Sequence, residues 1–477
     1  MRQNPPRFAP AVASLAGLLA ATALTACATL PPAAPARIAK AAETYASAQS
    51  LAGPQRDWPA DDWWTAYGDP QLNGLIGEAL AASPTLAVAE ARIRKAVASE
   101  QHWRLYPTLS ANASVKEDKE SYNAGIPAAF VPHGYNDFGR ATLDFSWELD
   151  FWGKNRAAVA ALTSVTRATQ ADAAEARLIL STNVAAAYAD LVRLYAERDV
   201  SARAMDVQGE TSKLVQSRVA NGLDTLGEQR QAEAEPLQAK ADLAAIDEQI
   251  ALTRNRLAAL VGAGPDRGLA IARPAVGALK PLGVPAQLAA SLVGRRPDIT
   301  AARWRAEAAA ERIHEAKAAF YPDVNLAAFI GVYSLKLDKL TASGSDVGQF
   351  GPAVSLPIFN GGHLKADLRG AEADRDAAVA SYDAAVAEAF HQVADVVASS
   401  RALQGELVDS RAALAASEDA YRIAKLRYQG GLSTYPAVLL AEQGVLRRRR
   451  TVADLDARAL ALDVALVRAL GGGFHAA

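Results

Sequence analysis

Two hydrophobic periods alternate along this chain. Between residues 141 and 150, Ala141, Leu143, Phe145, Trp147 and Leu149 fall on one side, and Thr142, Asp144, Ser146, Glu148 and Asp150 on the other. That period of two belongs to a strand. Residues 109–117 alternate less cleanly, and 325–335 and 350–359 supply two further strands, the last interrupted by Pro352 and Pro357. Proline removes a ladder donor, so this fourth strand suits a sheet edge or a barrel rim. Strands of about ten residues, apolar on one side and polar on the other, have the length of transmembrane barrel strands. Between the strands the period changes. Leu243, Ile246, Ile250, Thr253, Leu257 and Leu260 step alternately by three and four, the seam of a coiled-coil-like helix.

That seam occurs twice. Residues 209 positions further on are Val452, Leu455, Ala459, Leu462, Leu466 and Ala469. "RVANGLDTL" (218–226) and "RYQGGLSTY" (427–435) share the same offset, as do "AALVG" ending at Gly262 and "RALGG" with Gly471 at its equivalent position. Nearer the start of each copy, "SPTLAVAEARI" (83–93) answers "RPDITAARWRA" (296–306), and "YPTLSANAS" (106–114) answers "YPDVNLAAF" (321–329). An offset held without insertion over more than a hundred residues marks an internal duplication. In each copy a helix of roughly 65 residues, about 100 Å at the helical rise, runs to a Gly-Leu pair and then returns. Asn221-Gly222 and Gly430-Gly431 supply the glycine that such a reversal needs, because it reaches positive φ without a Cβ clash.

Composition narrows the class. With 51% hydrophobic and 21% charged residues the chain is not disordered, and a net charge of −2 provides no field suited to nucleic acid. Abundant alanine with few aromatics favours long, closely packed helices. The single cysteine builds neither a disulfide framework nor a thiolate metal site within the chain. It is Cys27, and it follows a basic start (Arg2, Arg7), an apolar stretch and Leu24-Thr25-Ala26, the pattern of a bacterial lipoprotein signal with lipidation at the cysteine. Downstream to about residue 55 a Pro/Ala stretch reads as a flexible leader. No later run is long and apolar enough for a membrane helix. The six histidines (102, 133, 314, 363, 391, 475) lack ligand spacing, and no phosphate-cradling glycine pattern, cofactor motif or catalytic constellation is present. Arg447–Arg450 cover every face of a helix, so at least one turns inward or pairs with an acid.

Four membrane strands cannot close a barrel, and an open edge in lipid leaves backbone groups unpaired. Two chains would give eight strands; three would give twelve, enough for an aqueous lumen. The stretches "WWTAYGDPQLNGLI", "SPTLAVAEAR", "RRPDITAARWRAEAAAERIHEAKAAFYP", "SWELDFWGK" and the two "R…GL" turns occur in order over nearly all of the chain after Cys27. Together they resemble the outer-membrane efflux proteins, and within them the TolC-like, NodT-type lipoproteins that serve RND pumps. The resemblance implies a mostly helical, internally duplicated channel-tunnel protomer with four transmembrane strands. Its trimer would form a 12-stranded β-barrel and a 12-helix α-barrel. It also implies docking to an inner-membrane RND-type pump through a periplasmic adaptor, passive export of small molecules, no chemistry and no cofactor. On this basis residues 1–26 are the signal, 27–57 a lipidated linker held at the outer-membrane lipid, 58–262 and 291–471 the two repeats joined by a linker 263–290, and 472–477 a tail.

The resemblance also assigns roles. Arg218, Gly222 and Leu223, with Arg427, Gly431 and Leu432, would form the adaptor-docking tip. Relatives carry inward acids six and nine positions beyond the second tip glycine, and here those positions are Ala437 and Leu440. An apolar constriction at Leu440 would then replace an acidic ring, with Glu228 as a remaining acid and Glu442 nearby. Thr142, Asp144, Ser146 and Glu148, with Asp150, would line the barrel lumen. Two other functions share these features: a periplasmic coiled-coil adaptor or scaffold lipoprotein, and a porin without a pump. Paired hairpins in register favour the channel over the first, and the long helices disfavour the second.

Overall fold

The computed structural model describes residues 30–475 apart from 53–54, 102–104, 124, 126, 277–284 and 286–287. Cys27, the signal segment, His102 and the middle of the expected 263–290 linker lie outside the described residues. In chain order the elements are α1 (Pro70–Ala82), α2 (Pro84–Gln101), β1 (Thr108–Asp118), β2 (Asn136–Leu149), α3 (Lys154–Ala220), α4 (Leu226–Leu260), α5 (Leu288–Arg295), α6 (Pro297–Ala318), β3 (Asp323–Ser334), β4 (Asp346–Ser355), α7 (His363–Gln429) and α8 (Tyr435–Leu470). The 209-residue offset is visible in the helices themselves: α3 and α7 each contain 67 residues and begin and end at equivalent positions. Among the described residues no single helix is long and apolar enough to cross a bilayer.

The chain divides into two compact units, each built from both sequence halves. The first, Met1–Ile38, Arg94–Arg167 and Arg303–Ala380, holds the sheet. Its strands are antiparallel in the order β1-β2-β3-β4, so β1 and β4 have open edges. Strand β2 starts five residues before the alternation is evident in the sequence, and β4 ends at Ser355, which leaves Pro357 outside the ladder. Pro352 stays within β4, opposite Leu326, as an edge position permits. Gly331 on β3 has a steric reason: a Cβ there would lie 2.1 Å from the Ala141 carbonyl oxygen and 2.8 Å from Thr142 Cγ2.

The second unit, Ala39–Ile93, Ala168–Ala302 and Ser381–Ala477, contains the apolar cores. In one, Trp63, Trp64, Tyr67 and the α1 face Leu72, Leu75, Ile76 and Ala79 pack on Val184, Tyr188 and Leu191 of α3. Asp69 starts α1: its side chain accepts from the Gln71 N–H at 2.8 Å, the Ala275 N–H at 2.8 Å and the Tyr188 hydroxyl at 2.5 Å, and Pro70 follows where no donor is needed. Tyr67 donates to Asp463 at 2.7 Å, and Arg56 pairs with the same carboxylate. The α4 seam faces inward, with Ile250 and Leu257 buried. On α8 a second stripe, Ala457, Leu460, Val464 and Val467, is buried beside the expected one, because α8 packs into two clusters at once. Arg449 pairs with Glu418 of α7 at 2.7 Å and Arg450 with Asp242 of α4 at 3.1 Å, so the arginine run ties α8 to both neighbours while Arg447 stays exposed.

The expected flexible leader is bonded to α7 within each unit taken by itself. In the first unit the N–H groups of Ala34 and Arg37 donate to Glu372 (3.4 Å) and Asp376 (3.0 Å), and Arg369 donates to the Pro32 carbonyl at 3.0 Å. In the second, the Lys40 N–H donates to Asp383 at 2.9 Å, Tyr45 stacks on Phe390 at 5.5 Å, and Arg401 donates to the Ala52 carbonyl. Donors at 34, 37 and 40 repeat every three residues, the period of a polyproline II segment. Composition alone reads this stretch as flexible because its partners are acids more than 300 residues away. Replacing Asp383, which is buried, with Ala should cost about 2 kcal/mol, the scale of a hydrogen bond to a charged acceptor. The check is hydrogen exchange, in which residues 39–52 should lose protection and α1 should not.

Candidate functional site: a clamped helical tip and a two-faced sheet

Both long helices end in the same way. At the first reversal the Leu223 N–H donates to the Arg218 carbonyl (2.9 Å) and the Gly222 N–H to the Val219 carbonyl (2.9 Å). At the second, the Leu432 N–H donates to the Arg427 carbonyl (2.8 Å) and the Gly431 N–H to the Tyr428 carbonyl (3.0 Å). These are Schellman caps, closed by glycines at φ 71° and 73°. A side chain there would be strained by the left-handed backbone, and so the duplicated glycine is a requirement of the turn. Leu223 and Leu432, one residue beyond, are exposed.

The two arginines part company. Arg218 donates from Nε to Asp224 Oδ2 at 2.9 Å and from Nη2 to Asp224 Oδ1 at 3.3 Å, and its guanidinium lies 4.5 Å from the Tyr428 ring centroid. The Tyr428 hydroxyl donates to the same carboxylate. A clamp thus joins the first reversal, through Arg218 and Asp224, to the end of α7. Burial pushes the Asp224 carboxyl up, but the bonds from Arg218 and Tyr428 outweigh it and hold it below the ordinary range. Burial, then Asp224, pushes the Tyr428 hydroxyl above its usual value. Arg427 is exposed, because the positions 209 from Asp224 and Tyr428 are Ser433 and Val219, which offer neither an acid nor a phenol.

Beyond the reversals the copies differ again. Helix α4 begins with a capping box: the Glu228 N–H donates to Thr225 Oγ1 at 3.3 Å, and Glu228 Oε2 accepts from the Thr225 N–H at 2.8 Å. The Glu228 carboxylate is therefore engaged at the helix end. Its counterpart Ala437 cannot complete a box, and Thr434 makes no side-chain cap. Ala437 and Leu440 are exposed on α8, whereas the intervening Val438 and Leu439 join Val215, Ala232, Tyr428 and Tyr435 in an apolar cluster that holds all four helices at the tip. Glu442 is buried. Periodicity and spacing do not single out Asp224, Tyr428 or Tyr435. Their signal lies where the duplication breaks, Asp224 against Ser433 and Tyr428 against Val219, positions at which the two tips cannot be alike.

In the sheet the register separates two faces. Leu109 and Val115 of β1, Leu143, Phe145 and Trp147 of β2, Leu326 and Ile330 of β3, and Phe350 and Val354 of β4 share one face. Phe350 is 88% exposed and Leu109 71%, an apolar surface that this chain leaves uncovered. The opposite face is mostly polar and internally bonded, with Phe138, Phe329 and Tyr333 among its polar neighbours. Asp144 accepts from Asn112 (2.9 Å) and Thr142 (2.8 Å), Ser146 bonds Asn325 at 3.0 Å, and Lys154 bridges Glu148 (3.1 Å) and Asp323 (3.2 Å). Thr142 is buried, covered where it crosses Gly331. Asp150 leaves this face: it lies beyond β2 and accepts from the Asn155 (3.2 Å) and Arg156 (2.9 Å) N–H groups as the cap of α3. Period two carries it into the lining, but the strand ends one residue earlier.

The model of the family "Outer membrane efflux protein" matches residues 75–263 and 288–472. The chain is 38% identical over 325 residues to the fusaric acid resistance protein FusA of Burkholderia cepacia, which covers 66% of this chain and 60% of that protein. It is 32% identical over 434 residues to the multidrug resistance outer membrane protein MdtP of Escherichia coli K12, 88% of each chain. Among solved structures, the outer membrane protein VceC from Vibrio cholerae superimposes with a TM-score of 0.82 at 46% identity, covering 88% of this chain and 100% of that one. With both copies of the helix–reversal–helix pattern inside the matched ranges, this chain belongs to the outer membrane efflux protein family and is a TolC-like channel protein of the outer membrane.

Proposed function

We propose that this protein is the outer-membrane duct of a tripartite efflux assembly, through which drugs or other small molecules pass without chemical change. The observation that carries the reading is the sheet: one face apolar and exposed, the other mostly polar and bonded, and both edges open. Lipid satisfies the first face and water the second, and identical copies added at the edges complete the ladder. Three copies give twelve strands, enough for a lumen lined by Asp144, Ser146 and Glu148, with the expected Thr142 covered within the wall. Cys27 is the lipidation site that holds the chain at the membrane. Residues 58–262 and 291–471 act as duplicated repeats that supply two tips per chain. In those tips Leu223, Leu432 and Arg427 meet a periplasmic adaptor bound to an RND-type pump, Gly222 and Gly431 turn the chain, and Arg218 holds the shape from inside. Leu440 and Ala437 form the narrowest ring, with Glu228 serving the α4 cap.

Mass in detergent and single-channel conductance test this reading. A trimer with discrete conductance steps supports it; a monomer or dimer without conductance favours a scaffold lipoprotein. Leu440→Asp should lower the anion-to-cation permeability ratio by roughly threefold or more, since a ring of charge acts at close quarters in a narrow pore. Unchanged selectivity would remove Leu440 from the constriction.

A further inference from the structure

The helices that meet at the tip bury a carboxyl group with only a partial counter-charge beside it. Glu442 lies on α8 one turn past Val438 and Leu439, on the face these residues turn into the apolar tip cluster. It is 3% exposed, and its Oε1 has no hydrogen-bond partner. A buried polar atom without a partner costs free energy, and a buried charge costs more.

The groups around it offset that charge only in part. Helix α4 presents Glu235, a like charge. Helix α7 presents Lys425, a partial counter-charge, and Tyr421, which itself faces Thr211 and Glu210 of α3. On α8, Tyr435 and Arg449 lie on either side. Burial first, and Glu235 second, push the Glu442 carboxyl up to about 7, with Lys425 opposing. The other buried ionisable groups of the tip keep one state through neutrality: Asp224 is held below its usual range, Tyr428 and Tyr435 are raised, and Tyr421 is pushed up to about 12.

We propose that Glu442 is a proton-dependent lock on the tip. With the carboxyl protonated the helices pack closely around it; when it loses its proton to water, the buried and only partly compensated charge drives α8 away from α4 and α7. The native pKa lies above the ordinary 4.5, so the stability contribution is complete below about pH 4.5 and is lost as the pH rises through about 7. A displacement from 4.5 to about 7 bounds the change in the packed-to-loosened ratio at about 300-fold. A periplasmic tip would meet such pH changes, since small molecules and protons cross the outer membrane. That consequence rests on the duct reading, whereas the lock itself does not.

Hydrogen exchange by mass spectrometry tests the lock on the full-length protein in detergent at pH 5.5, 7.0 and 8.5, with rates corrected for the intrinsic pH dependence of exchange. Protection over residues 207–225 and 421–445 should fall at least tenfold between the extremes, while residues 180–194 stay constant. Glu442→Gln, which keeps the shape without the charge, should hold the low-pH protection throughout. Glu235→Gln provides a second handle if the first variant folds poorly: it removes the like charge and should move the midpoint to lower pH. A wild-type protein without a step, a Glu442→Gln protein that keeps the step, or a Glu235→Gln midpoint that does not move would each overturn the lock. Conductance at the same pH values separates the two ideas. A step in exchange without a step in conductance overturns the duct reading of the tip and leaves the lock standing.

Discussion

Gly471→Ala should be the most damaging small substitution in the chain, costing about 4 kcal/mol or more in stability and leaving little folded protein. Gly471 ends α8 with φ at 94°, a left-handed backbone that costs alanine about 1–2 kcal/mol by itself. The larger cost is steric, because a Cβ would lie 1.9 Å from the Arg295 carbonyl oxygen. That carbonyl cannot retreat. The next residue, Arg296, is buried, bonded to the Ala469 carbonyl at 2.8 Å, Gln392 at 2.9 Å and Asp298 at 2.6 Å, and these bonds fix the α5–α6 junction against the end of α8. Gly262 repeats the arrangement in the first copy: φ is 75°, and a Cβ would lie 2.9 Å from the Ala82 carbonyl. The looser contact predicts a smaller loss for Gly262→Ala. Gly405, exposed within α7 with nothing near its Cβ direction, serves as control, and alanine there should gain up to about 1 kcal/mol of helix propensity. Yield of folded protein and the thermal midpoint of the helical circular dichroism would rank the three. Equal midpoints for Gly471→Ala and Gly405→Ala would refute the close approach.

Asp224→Ala should open the tip at a cost of about 3 kcal/mol, the scale of breaking one side of a buried ion pair. The carboxylate is 6% exposed and Arg218 14%, so the change leaves a guanidinium shielded from water and a Tyr428 hydroxyl without its acceptor. Trypsin reads the result. Cleavage after Arg218 should accelerate in the variant, while cleavage after the already exposed Arg427 serves as an internal reference. Asp224→Asn, which keeps an acceptor oxygen but loses the charge, should fall between the two. The pH dependence has a defined sign. The Asp224 pKa is depressed, so its contribution is present above the ordinary carboxylate value of 3.8 and is lost only as the pH falls through the depressed one. The clamp therefore persists across the range in which Glu442 titrates.

These two sites show how far local pattern reaches. The glycines at 222, 431, 262 and 471 stand out because a chain reversal needs positive φ wherever it occurs, and the 209-residue repeat displays each need twice. The strands are legible because a sheet with two different faces writes its period of two into any ten residues. Their ends are less legible: β2 begins at Asn136, where alternation is weak, and Asp150 belongs to a helix cap that only the geometry after the strand reveals. The leader along α7 has no periodic apolar signal at all, since it is held by backbone donors that every sequence possesses.

The sequence by itself determined the duplicated architecture, the places where the chain turns, the two-faced strands and the family, because each depends on periodicity or spacing within a short window. Only the tertiary structure decided that Arg218 faces inward and Arg427 outward, that Thr142 is covered at Gly331, and that Glu442 is buried facing Glu235 of α4 and Lys425 of α7. Burial and pairing are properties of what distant segments bring to a residue. Two arginines at equivalent positions of the repeat therefore acquired different roles when one met Asp224 and Tyr428 and the other met solvent.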